Sequence, residues 1–214
     1  MNAGKECTVE PIRKRQDIAA IKHALADSPR DLALFTIGIH AGLRGSDLLA
    51  LCWPDVLSEE GEIRRVIEVK ESKTGKRRRI AVSPNMRAAI SAWLDACKVK
   101  AQNQQSNGAQ PKSHAINPTD VTDEDLLFPS NGNGKPMTIQ RLHQLVNEWT
   151  SKAGIKGHFG SHTLRKTYGY FLRNRGTDLP TLMKIFGHQS QAMTLRYLGI
   201  TDDEIDEANL RLNL

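Results

Sequence analysis

Little in this sequence ties it to the outside of a cell or to a membrane. Its 214 residues include three cysteines, Cys7, Cys52 and Cys97. No two of them have the spacing of a short disulfide loop or a metal knuckle, which argues against a structural zinc site and fits a reducing compartment. Long hydrophobic runs are also missing. The most apolar stretch, around Leu32 to Leu43, is interrupted by Thr36, Gly38, His40 and Gly42, too short and too polar to cross a bilayer, and no N-terminal segment has signal-peptide form. A cytoplasmic protein without membrane association is expected. Internal repeats are not evident. Charge of one sign is in modest excess, 30 Lys and Arg against 24 Asp and Glu, a formal +6; this suits a polyanionic partner but is a weak signal by itself. The length is enough to bury one sizeable core.

What is present is mainly helical patterning with one hairpin, an α+β expectation. From Arg30, the apolar positions Leu32, Leu34, Phe35, Ile37 and Ile39 fit a buried helix stopped by Gly42. Ser46 is a candidate N-cap for a second helix, "SDLLALCW", ending before Pro54, so that Arg44 sits in a short elbow. Ile67 and Val69 before "SKTGK", with Ile80 and Val82 after it, alternate as in an antiparallel β-hairpin with Lys73 at its tip. Pro84 opens another helix through Leu94. A polar stretch over about 101–122, rich in Gln, Asn, Pro and Ser, reads as a loop or insertion. "FPSNGNGKPMT" reads as a turn-rich connector, and Thr138 to Thr150 as a helix. Ser161 is a candidate cap for a helix ending near Gly176, "DLPTLMKIFG" is a short helix stopped by Gly187, and Ser190 caps the next one. A terminal helix is expected from Asp202.

Several residues gain meaning together. In one continuous helix, His188 and Tyr197, nine residues apart at about 100° each, would face opposite ways. The Gly187 and Ser190 punctuation places His188 in a turn and Tyr197 about two turns into the following helix, so both can face one cleft. His162 and Arg165 share a helix face. Arg165, with Arg44 from the elbow, can clamp a phosphate through paired planar donors. Two arginines, a hairpin lysine, two histidines and a tyrosine are what phosphoryl transfer without a metal requires, because catalysis there is positioning plus stabilisation of charge on the non-bridging oxygens. Each residue alone has an ordinary structural explanation: a helix-end arginine, a solvated hairpin lysine, an exposed helix face, a packing tyrosine. In "GKRRR", the alternate residues Arg77 and Arg79 suit DNA backbone contact. His158 and His162, four apart, are a poor metal pair because neither a carboxylate nor a cysteine ligand is near.

In that order, "AGLRGSDLLAL", "SKTGK", "SHTLRKTYGYFL" and "FGHQSQAMTLRYL" resemble the boxes of the tyrosine recombinases, the phage integrase family, from about Ile12 to Leu198. The resemblance implies the catalytic-domain fold of that family over residues 1–200, with a C-terminal helical tail over 201–214. It also implies site-specific recombination of double-stranded DNA (integration, excision or inversion) through a 3′-phosphotyrosyl intermediate, with no cofactor and no metal. By position, Arg44 and Arg165 would bind the scissile phosphate, Lys73 would protonate the 5′-oxygen, His162 would assist proton transfer, His188 would hydrogen-bond the phosphate and Tyr197 would be the nucleophile. Implied partners are further protomers, as a homo-tetramer on synapsed DNA, and a DNA-bending accessory protein. The implied place is the bacterial or phage nucleoid. The sequence departs from the family at Lys166, where a histidine is frequent, at Phe186, where leucine is common, and at Gly45, where a larger residue is usual. The pattern begins close to the N-terminus with no separate core-binding domain, in which it is similar to the short recombinases of fimbrial switches. A regulator that keeps the fold without recombining, and a type IB topoisomerase activity, are the alternatives.

Overall fold

The apolar run after Ser28 forms α2 (Pro29–Ala41), with Pro29 in the first turn, where its missing N–H has no intrahelical partner to lose. Ala33 to Ile39 and Ala41 are all buried, and a helix apolar nearly all round must be covered on several sides. In this computed structural model, which describes residues 9–106, 116–130 and 135–199 with Asp206 and Leu210, α5 (Pro84–Ser106) and α7 (Thr163–Asn174) provide that cover. At Gly38 the approach of α7 is close enough that a Cβ would collide with the Leu164 side chain. Here α1 (Arg15–Ala24) packs against α6 (Ile139–Lys152). Phe35 meets Trp149 of α6 edge-on at 6.0 Å, and the Trp149 indole N–H donates to Asp31 at 3.2 Å. Between α2 and the hairpin lie α3 (Gly45–Leu49) and α4 (Trp53–Val56); Trp53 stacks on Trp93 of α5 at 6.5 Å.

Strands β1 (Val66–Lys70) and β2 (Arg77–Ala81) pair antiparallel, Val66 opposite Ala81 and Lys70 opposite Arg77. Ile67 and Ile80, partners in this register, are both buried. The period of two therefore exposes Arg77 and Arg79 and turns Arg78 inward. The chain is thus mainly α with a small antiparallel sheet, as expected. A second, smaller core joins α8 (Leu179–Phe186) and α9 (Gln191–Leu198), where Leu182, Phe186 and Leu198 are buried among Tyr168, Leu172, Ile185 and Tyr197. Gly169 permits this contact, since a Cβ there would meet Phe186 and Leu198. At about 2 kcal/mol for each fully buried side chain, those three residues are a modest anchor for the element that carries Tyr197. Among the described residues no helix is long and apolar enough to cross a membrane.

The structure corrects four expectations. The helix after Arg44 starts at Gly45, not after a Ser46 cap, and stops at Leu49. Leu51 and Cys52 are diverted into pairing with the 126–127 segment, and Pro54 lies in the first turn of α4 rather than beyond a helix end. Helix α5 runs on through Ser106, into the stretch expected to be a loop from 101, because Ala101, Gln102, Gln104 and Gln105 are good helix formers; residues 107–115 of that stretch lie outside the described residues. His162, not Ser161, is the N-cap of α7, with Thr163 Oγ1 accepting from Gly160 N at 3.0 Å. Finally, α1 has no counterpart among the expected elements, although Ile18, Ile21 and Leu25 carry the three-and-four spacing that marks it. The expected terminal helix from Asp202 lies, apart from Asp206 and Leu210, outside the described residues.

Candidate active site

Two helix ends organise the site. Gly42 ends α2 at φ 56° and Gly187 ends α8 at φ 66°, left-handed conformations that glycine adopts without the Cβ penalty. The last carbonyls of each helix have no intrahelical partner and sit at the partially negative end of the helix, which suits guanidinium donors. Arg165 spans both ends, Nη1 donating to the Gly42 carbonyl and Nη2 to the Phe186 carbonyl at 3.0 Å. Arg44, the N-cap of α3, donates to the same Phe186 carbonyl at 3.4 Å and to Glu71 Oε2 at 2.8 Å. Arg78 adds bonds to the carbonyls of Ala41, at 2.5 Å, and Gly42, at 3.0 Å. Arg165 is only 3 % exposed; burial lowers its pKa, with Tyr197 and Glu71 acting the other way, and an arginine remains charged through such a shift.

The hairpin turn is fastened to this framework by two carboxylates. Asp47 of α3, 4 % exposed, accepts from Ser72 N at 3.0 Å and Ser72 Oγ at 2.6 Å. Glu71 accepts from Thr74 Oγ1 at 2.9 Å. Between these anchors Lys73 projects exposed into the cleft, without an ion pair among the described residues. Arg77 and Arg79 lie on the outer face of the hairpin, away from the cleft, where Arg79 faces Glu68 at 3.7 Å.

The cleft, about 680 Å³, is lined by Arg44, Lys73, His162, Arg165, His188 and Tyr197. All six positions expected to act together are therefore in one place. His162 is exposed at the start of α7, and its pKa is held below 6.5, first by desolvation, then by Arg165 and Lys166. The pKa of His188 is lowered by the same cause and by Arg165 and Arg44; its Nδ1 lies 3.0 Å from Thr194 Oγ1. Both shifts favour the neutral ring. The Tyr197 ring sits 5.2 Å from His188 and 5.2 Å from Phe186. Its buried hydroxyl meets no partner at hydrogen-bond geometry among the described residues. Burial raises its pKa, while the charges of Arg165 and Arg44 pull it down.

Sequence reasoning missed Glu71, Arg78, Thr194 and Asp47 as parts of the site. The alternation that exposes Arg77 and Arg79 does carry the signal for Arg78, because its neighbour in the strand has to face inward.

Residues 13–204 match the phage integrase family. The chain is 30 % identical over 196 residues to the probable integrase/recombinase YoeC of Bacillus subtilis, covering 91 % of this chain and 92 % of YoeC. It is 29 % identical to the tyrosine recombinase XerD of Corynebacterium glutamicum over 89 % of this chain but only 56 % of that one, so it spans little more than half of this longer relative. Among solved structures, XerH bound to its palindromic difH substrate in a post-cleavage complex matches with a TM-score of 0.67 over 94 % of this chain and 53 % of XerH, at 19 % identity, a likeness of fold. The chain belongs to the phage integrase family and is a tyrosine recombinase catalytic domain.

Proposed function

We propose that this chain breaks and rejoins double-stranded DNA at specific sites with Tyr197 as nucleophile, the convergence of Arg44, Lys73, His162, Arg165 and His188 on one cleft around that tyrosine being the observation that carries it. Tyr197 Oη attacks the scissile phosphorus, the bond from phosphorus to the 5′-oxygen breaks, and a 3′-phosphotyrosyl bond forms. Lys73 gives its proton to the departing 5′-oxygen, and His162, whose surroundings favour the neutral ring, accepts the phenolic proton. Attack by the 5′-hydroxyl of another strand reverses these steps, so the diester is restored without ATP or a cofactor.

Arg44 and Arg165 neutralise the non-bridging oxygens, held in place beforehand by the carbonyls of Gly42 and Phe186. Ionising even an unshifted tyrosine at pH 7 costs roughly 4 kcal/mol, and these cations offset part of that. An incoming phosphate raises the pKa of His188, whose imidazolium then donates through Nε2 while Nδ1 stays on Thr194. Arg77 and Arg79 contact the DNA backbone. The catalytic domain covers residues 1–200 with a tail over 201–214, and the enzyme acts in the cytoplasm, on bacterial or phage DNA, as a homo-tetramer on synapsed sites with a DNA-bending accessory protein. The XerH complex, captured on its own DNA after cleavage, supports this choice of substrate.

The test is incubation with supercoiled DNA from the gene's own neighbourhood, without magnesium, stopped with detergent, beside Tyr197→Phe. The wild type should form a covalent protein–DNA adduct, and the variant should bind DNA as well but form none. Equal adduct from the variant removes Tyr197 from its role. Salt-sensitive binding by the wild type without any adduct points to a DNA-binding regulator instead.

A further inference from the structure

Adjacent residues of α7 approach Tyr197 from two directions. Arg165 faces the cleft, and Lys166, turned about 100° around the helix axis, extends the other way into the protein, where it is 8 % exposed. Its Nζ lies 5.4 Å from the centre of the Tyr197 ring, within cation–π range. Among the described residues this ammonium has no hydrogen-bond acceptor and no carboxylate at ion-pair distance, so the aromatic ring is the partner the structure provides for it. A buried ammonium without an ion pair is costly, and a packing role alone is met equally well by leucine or methionine.

The same side of α9 is held by a second cation. Arg13 Nη2 donates to the Gly199 carbonyl at 3.1 Å, just past the C-terminal end of α9, and the Arg13 guanidinium lies 5.2 Å from the Tyr170 ring. The segment bearing Arg13 is tied down by Ile12 N donating to Thr167 Oγ1 at 2.9 Å and Glu10 N donating to the His158 carbonyl at 2.7 Å. The helix that carries Tyr197 is thus gripped from behind by α7 and by the strand of chain that precedes α1.

We propose that Lys166 is a positioning residue for the nucleophile: its ammonium holds the Tyr197 ring in the cleft and favours the phenolate over the phenol. The inference rests on Tyr197 being the nucleophile. A cation near the ring is attracted to its neutral π face and more strongly to the phenolate, so its effect grows as the proton leaves. The charged groups acting on Tyr197 are then Arg165 from α7 and Arg44 from the elbow, with Lys166 behind; the His188 ring packs beside it. Lys166 itself feels Arg13, which disfavours its charge, and Glu10, which favours it.

The experiment is a direct titration of the Tyr197 phenol by NMR with ring-labelled tyrosine, the signal assigned by its loss in Tyr197→Phe, in the wild type, Lys166→Met and Lys166→Arg, with the rate of covalent adduct formation measured on the same proteins. Lys166→Met should raise the Tyr197 pKa by about one unit and slow adduct formation about tenfold at pH 7, with DNA affinity unchanged. Lys166→Arg should restore both. An unshifted titration in folded Lys166→Met overturns the inference whatever the adduct rate, and so does a shift that Lys166→Arg fails to reverse. Should Lys166→Met not fold, Lys166→Arg and Lys166→Gln supply the same comparison, charge kept against charge lost. Because the titration needs no DNA, a wild type that forms no adduct defeats the proposed function while leaving this measurement intact.

Discussion

Glu71 places one carboxylate where the hairpin meets the elbow. Its Oε2 accepts from Arg44 at 2.8 Å and from Thr74 at 2.9 Å, so it aims the arginine and fixes the turn beside Lys73 with the same atom. A guanidinium has five N–H donors, and the bonds to Glu71 and Phe186 leave others for a phosphate. Burial pushes the Glu71 pKa up, but the hydrogen bonds from Arg44 and Thr74 and the charges of Arg44 and Arg165 outweigh it, and the net shift is below 4.5. A depressed carboxylate pKa stabilises the fold at pH above the unfolded value, and that contribution is lost as pH falls through the folded pKa. Glu71→Gln keeps the shape and removes the charge. It should cost about 2 kcal/mol of stability at pH 7 and slow cleavage about ten- to a hundredfold through a misaimed Arg44. Denaturant titrations of both proteins at pH 7 and below pH 4 check the cause: the gap between them should shrink in acid, and a gap independent of pH would assign the loss to shape rather than charge.

At the scale of elements, the site is an arrangement of helix ends. Arg165, Arg44 and Arg78 are anchored by carbonyls where α2 and α8 stop. Gly42→Ala tests this, because φ 56° disfavours any Cβ and a methyl there would run into the Tyr168 ring. The substitution should destabilise by about 2 kcal/mol or more and, by moving the Gly42 carbonyl, reduce adduct formation beyond what the lost stability explains. A variant that is less stable but fully active per folded molecule would show that Arg165 does not depend on that carbonyl. The glycines that stop these helices were legible in the sequence, as were the hairpin and the two turns between His188 and Tyr197, since these depend on residue type and periodicity. The anchors were not, because every residue has a carbonyl and only the tertiary arrangement decides which ones face a guanidinium. Asp47 and Glu71 stayed hidden for a related reason: each meets a partner about 25 residues away in the chain, Ser72 and Arg44. The missed α1 and the misplaced start of α3 are of another kind. In α1 the signal was present, and at α3 the helix takes Arg44 rather than Ser46 as its N-cap and stops early at Leu49, where Leu51 and Cys52 turn to pair with residues 126–127.

For the molecule as a whole, a formal charge of +6 says less than where the cations sit. Arg44, Arg78 and Arg165 are occupied inside the site, so affinity for a long polyanion has to come from exposed residues, and the outer face of the hairpin offers Arg77 and Arg79, on the strand that follows the turn bearing Lys73. The single contact of Arg79 with Glu68 is 3.7 Å long between side chains 75 % and 62 % exposed, a pair worth well under about 1 kcal/mol and easily given up to a phosphate. Each phosphate neutralised on duplex DNA contributes about 0.9 to the slope of log affinity against log salt, so contact with about six phosphates gives a slope near −5. Replacing both Arg77 and Arg79 by alanine should make that slope shallower by about 2 and weaken binding to specific and unrelated duplexes alike, because backbone contacts carry no sequence information. Fluorescence anisotropy across a salt series measures both effects. A double variant with an unchanged slope would place the DNA away from the hairpin, whereas a loss confined to one sequence would mean that these arginines read bases rather than phosphates.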